Sequence, residues 1–165
     1  MTVRSLRRVS SSYSPKEREG DLHAKGLRFA VICARWNPTV TEALLAACLH
    51  ALERHGARAA DVTVVRVPGA FELPAAARAL IGRRCDAIVA LGAIVRGETT
   101  HHEILGHAVA GALAQLSADS GVPIGFGLLT CETMDQARSR TAKGAEAAEA
   151  AITMATLRRS LAEKG

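Results

Sequence analysis

Residues 92–103, Gly-Ala-Ile-Val-Arg-Gly-Glu-Thr-Thr-His-His-Glu, gather residue types that can hold an anion and move a proton. An apolar run ends here, two glycines and two threonines follow, and a helical pattern begins at a paired histidine. The first N–H groups of a helix have no intrahelical acceptor, so they attract an anion there. Histidine titrates near neutrality and can relay protons. A plain strand–loop–helix corner with a capping threonine would present the same residues, so this stretch alone leaves both readings open.

Three further segments end apolar runs with residues of chemical interest. They are Arg35-Trp36-Asn37, Pro68-Gly69-Ala70-Phe71-Glu72 and Leu129-Thr130-Cys131. The chain has one Trp and three Phe. Trp36 and Phe71 fall in these segments and Phe126 lies nearby, so a flat, heterocyclic ligand is expected there. His102-Glu103 begins like a zinc-binding His-Glu-x-x-His. Gly106 stands where the second histidine is required, and His107 lies roughly 500° around the helix from His102. No metal is expected.

The elements that must position these residues alternate in kind. Apolar, partly β-branched runs predict strands at 28–34, 62–67, 86–92 and 124–129. Helical patterns are predicted at 39–55, 73–83, 100–120, 134–140 and 144–162. Strands this apolar, each followed by a helix, predict a parallel sheet covered on both faces, with right-handed crossovers. In such sheets ligands bind beyond the C-terminal strand ends, where the candidate residues cluster. The Ala-rich final helix reads as close-packing material.

Composition narrows the class. The 165 residues fit one domain, and 48% hydrophobic with 22% charged is a globular balance. No apolar run approaches the roughly 20 residues of a membrane span. Of the net charge of +5, +3 falls in residues 1–20, so the body carries no basic stripe for nucleic acid. Residues 1–14, Ser- and Arg-rich without an apolar stretch, are expected to be a disordered tail, and 15–165 the domain. The four cysteines make no Cys-x-x-Cys pair, which fits reduced thiols in the cytoplasm.

Taken together, Ala34-Arg-Trp-Asn37, Val67-Pro-Gly-Ala-Phe-Glu-Leu-Pro74, Ala90 to His101, Gly121 to Thr130, Gln136-Ala137 and Lys143-Gly144 resemble the lumazine synthase family. The resemblance runs from about residue 20 to 160. It implies a flavodoxin-like three-layer α/β/α sandwich with a four-stranded parallel sheet. It also implies condensation of 5-amino-6-(D-ribitylamino)uracil with 3,4-dihydroxy-2-butanone 4-phosphate, without a cofactor. The products would be 6,7-dimethyl-8-ribityllumazine, phosphate and water, one step short of riboflavin. By this likeness His101 is the catalytic base. Trp36, Asn37, Ala70, Phe71, Glu72, Ala93, Ile94 and Phe126 bind the pyrimidine and its ribityl chain, with Phe126 reaching across a subunit interface. Gly97, Glu98, Thr99, Thr100 and Arg140 hold the phosphate. Arg96 is a second cation near that loop, given by the likeness to the loop more than to substrate.

The resemblance implies a homopentamer, with a decamer or a sixty-subunit shell left open, and riboflavin synthase as a further partner. Only Thr141-Ala142 separate Arg140 from Lys143, fewer residues than many members carry. The alignment of Lys143 and Glu146 with site residues is therefore unsettled, and a region tied to shell assembly is altered. Residues 15–20, which in the family add an edge strand to a neighbour, are highly charged here. A non-catalytic flavin- or lumazine-binding or shell-forming homologue is the alternative reading.

Overall fold

The computed structural model describes residues 13–163. The basic tail expected at 1–14 falls almost wholly outside that range. Four strands, β1 (Phe29–Ala34), β2 (Val62–Val67), β3 (Ala87–Val95) and β4 (Ile124–Cys131), form one parallel sheet in the order β2-β1-β3-β4. Five helices surround it: α1 (Pro38–Arg54), α2 (Leu73–Leu80), α3 (His101–Ser120), α4 (Met134–Ser139) and α5 (Lys143–Ala162).

The two faces of the sheet have separate cores. Val31, Cys33, Val89 and Leu91 pack with Val40, Leu44, Leu52, Ala137, Ala148 and Ile152, from α1, α4 and α5. Ile32, Ile88 and Ala90 pack with Leu73, Ala77, Val109 and Leu113, from α2 and α3. This is the expected three-layer α/β/α sandwich. Central β1 is buried along its whole length and β3 nearly so, because helices cover both faces. Edge strand β2 leaves Thr63 and Val64 exposed.

Some boundaries depart from expectation. β3 continues past Gly92 to Val95, because β4 pairs with it as far as Val95↔Cys131. Gly92 is a close-packing residue inside the strand: a Cβ there would come within 2.9 Å of Leu128 Cδ1. β4 likewise runs beyond 129 to Cys131. α2 stops at Leu80, not 83, because Ile81 turns extended and Gly82 and Arg84 adopt positive φ. Short 3₁₀ turns at Ala59–Asp61 and Ala70–Glu72 were not anticipated by periodicity. Residues 15–20 form no strand in the single chain. Arg18 and Asp21 instead bond to Ser160 and Thr156 on α5. Among the described residues, no helix is long and apolar enough to cross a membrane.

Candidate active site

From β1 the chain passes through α1 to β2 on one side, and from β3 through α3 to β4 on the other. The strand order therefore diverges between β1 and β3, and their C-terminal ends flank the crevice where open α/β sheets bind ligands. A cavity of about 350 Å³ opens there. Its walls include Trp36 and Asn37 after β1, Ala70 and Phe71 after β2, and Ala93, Ile94 and Val95 at the end of β3. Gly97, Thr99, His101, His102 and Leu105 complete it.

Local chemistry explains how these residues reach the crevice. Pairing of β1 with β3 ends at Cys33↔Leu91, while β3 continues. The Ala93 carbonyl therefore faces a gap, and Asn37 Nδ2 donates to it at 2.8 Å. Asn37 adopts left-handed φ 59°, ψ 56° and Pro38 starts α1. This bend leaves Trp36 pointing outward, 72% exposed. Phe71 is similarly exposed at 70%. Both aromatics line the cavity from the β1–β2 side and are left in water, in a chain this poor in aromatics. Such exposed rings can offer a face to a flat ligand.

The loop from Arg96 to Thr100 turns directly into α3, a 20-residue helix. The amides of Gly97, Glu98, Thr99, Thr100 and His102 have no acceptor among the described residues. Thr99 Oγ1 accepts from the His101 amide at 3.4 Å, and Thr100 makes no side-chain cap. The alternative of a simple capping threonine at the helix start is thus not realised at Thr100. Free amides and the positive end of a long helix favour an anion here. His102 is largely covered, with its Nδ1 3.0 Å from the Thr99 carbonyl; a carbonyl only accepts, so Nδ1 donates.

Other expected site residues stand apart from this cavity in a single chain. Glu72 lies next to Phe71, but its Oε2 accepts the Gly69 amide at 2.9 Å. Phe126, half-exposed on edge strand β4, shares its face with Leu128 and does not reach the cavity. Glu98 and Thr100 lie on the loop outside the lining. Arg140 lines a second cavity of about 290 Å³ with Thr130, Glu132, Gln136 and His107. His102 belongs to both cavities. Lys143 and Glu146 pair with each other on the first turn of α5. Among the described residues, no three metal-ligating side chains are grouped as a metal would need.

Val95, His102 and Leu105 line the cavity without having been singled out as ligand-binding. Leu105 was detectable in principle, because it follows His101 by four residues and so shares its helix face. Arg96 and Glu132 form an ion pair, Nη1 to Oε2 at 2.7 Å, and the guanidinium beside it holds the Glu132 carboxyl below the usual carboxylate range.

An open, all-parallel α/β domain thus gathers two exposed aromatics, a run of free amides and a histidine at one crevice beyond its strand ends. The sequence model of the 6,7-dimethyl-8-ribityllumazine synthase family matches residues 26–159. The 6,7-dimethyl-8-ribityllumazine synthase of Salinibacter ruber is 49% identical over 154 residues, covering 87% of this chain and 96% of that protein. Those of Anaeromyxobacter dehalogenans and Nitratidesulfovibrio vulgaris are 44% identical over 150 residues and 43% over 140. They cover 87% and 81% of this chain, and 93% and 90% of their own. The chain belongs to the 6,7-dimethyl-8-ribityllumazine synthase family.

Proposed function

We propose that this chain condenses 5-amino-6-(D-ribitylamino)uracil with 3,4-dihydroxy-2-butanone 4-phosphate to give 6,7-dimethyl-8-ribityllumazine, phosphate and water. The observation that carries the reading is the crevice at the divergence of β1 and β3. There Trp36 and His101 line one cavity with the phosphate loop. The pyrimidine stacks on Trp36, with Phe71, Ala93 and Ile94 beside it. Its 5-amino group attacks the ketone to form an imine, losing water. Proton removal from the carbon next to the imine expels phosphate, leaving an enol that tautomerises to a ketone. The ribitylamino nitrogen then closes the ring on that ketone with loss of a second water. His101 moves the protons, and Gly97, Glu98, Thr99 and Thr100 with the start of α3 stabilise the departing phosphate. Glu72 takes the ribityl hydroxyls through its remaining oxygen.

The site is completed by a second copy of the chain. Phe126 and Arg140, the other ring and phosphate candidates, do not line the His101 cavity of their own subunit. The outward face of α3 carries Ile104, 66% exposed, followed by exposed Ala108, Gly111 and Ala112, which suits close packing against a neighbour. A cytoplasmic homopentamer fits this face; the assembly's size is read by light scattering.

Incubation of the oligomeric protein with both substrates is expected to produce the absorbance of the lumazine. Absence of product from folded oligomer would overturn the enzyme reading. Quenching of Trp36 emission by riboflavin without any turnover would place the chain among ring-binding homologues instead.

A further inference from the structure

We propose that Arg96 and Glu132 form a tether that positions the phosphate loop from outside the reacting atoms, so that Arg96 is not itself a phosphate ligand. This rests on the reading of residues 97–101 as the loop that handles phosphate and protons. The ladder between β3 and β4 ends at Val95↔Cys131, and the Arg96 amide adds one more bond to the Cys131 carbonyl at 2.8 Å. Arg96 and Glu132 are thus neighbours one step beyond the sheet, and their side chains close at 2.7 Å.

Glu132 is itself held. Its amide donates to Gln136 Oε1 at 2.9 Å, and Thr133 Oγ1 caps α4 by accepting the Gln136 amide at 3.2 Å. The pair therefore fastens the loop to the start of α4, the helix that carries Arg140 at its end. Among the described residues, it is the one side-chain bond joining residues 96–100 to anything beyond the helix they open. Arg96 lines neither the His101 cavity nor that of Arg140, although Gly97 and Thr99 beside it line the first. Its Nη1 is turned instead to Glu132, away from the residues that would surround the anion. Both side chains are more than half exposed, so the pair adds little to global stability and its loss acts locally.

The test compares the full-length oligomer with Arg96→Ala, Glu132→Ala, the double alanine variant and the charge swap Arg96→Glu/Glu132→Arg. Either single change is expected to raise KM for the phosphorylated ketone about two- to fivefold, the range of an exposed ion pair, with the pyrimidine KM unchanged. The double variant should be no worse than either single one, and the swap should recover part of the loss. Hydrogen exchange of the 95–106 peptide should quicken by a similar factor in both singles, because the Arg96, Glu103 and Ile104 amides bond at the loop's two ends. If Arg96→Ala alone raises KM while Glu132→Ala leaves it unchanged or lowers it, Arg96 is a ligand and the tether is wrong. Should the parent protein make no lumazine, the functional reading fails separately. Exchange then decides the tether, and unchanged exchange in both singles overturns it.

Discussion

Asn37, in the wall of the cavity, shows how one side chain can also shape a site through the backbone it holds. It occupies left-handed backbone space and fills the hydrogen-bonding gap left where β1 stops short of β3. Asn37→Ala removes that bond and leaves an alanine in a strained conformation, a loss of about 2 kcal/mol. A fall in Tm of roughly 4–8 °C is expected. Asn37→Gly should recover part of it, and unchanged melting of the alanine variant would contradict the role. A second residue-scale expectation concerns Cys48, whose thiol burial pushes up to about 12. In the unfolded chain it titrates near 8.5. The folded value is the higher one, so this contribution is intact below about pH 8.5 and lost between there and pH 12. Urea midpoints should fall between pH 8 and pH 10, and fall less in Cys48→Ala; equal falls would refute the assignment. Trp36 and His101 are legible in sequence because an aromatic flanked by Arg35 and Asn37-Pro38 fits no core pattern, and a histidine after Gly-Glu-Thr-Thr fits no ordinary helix interior. Asn37's bond to Ala93 is not, because it depends on where two strands stop pairing.

Elements follow the same division. All four strands and five helices are visible as changes of hydrophobic period, yet their ends depend on packing. Gly92 reads as punctuation but lies inside β3, where Leu128 needs the space. Gly82, through which the helical pattern runs to 83, instead takes a positive φ just after α2 has ended. The alanines of α5 announce close packing, and the structure shows how close. A Cβ on Gly144 would stand 2.0 Å from the Leu44 carbonyl oxygen of α1, and one on Gly125 would stand 2.1 Å from that of Ala147. Helix propensity alone would favour Gly144→Ala by about 1 kcal/mol. Backbone contact dominates, and we expect the variant to be less stable by about 1–3 kcal/mol in chemical denaturation. A stabilised variant would mean that α1 and α5 separate without penalty.

At the scale of the whole molecule, a single chain brings Trp36, Phe71, Gly97, Thr99 and His101 to one cavity. Phe126 and Arg140 face elsewhere, and no sequence pattern reveals which surfaces meet. If neighbouring subunits complete each site, His101→Ala and Arg140→Ala subunits should complement one another. Mixed after dissociation, two inactive variants should regain activity at about a quarter of their sites, as random pairing in a ring requires. No recovery would place both residues in one subunit's site. The central claim, that this crevice carries out the condensation with His101 as its proton carrier, meets its most direct test in one paired measurement. Lumazine formation and quenching of Trp36, the chain's one tryptophan, by the ribitylaminouracil substrate are followed in the parent protein and in His101→Ala. The account expects turnover to fall about 10²–10⁴-fold while quenching persists. Full turnover in the variant would contradict it.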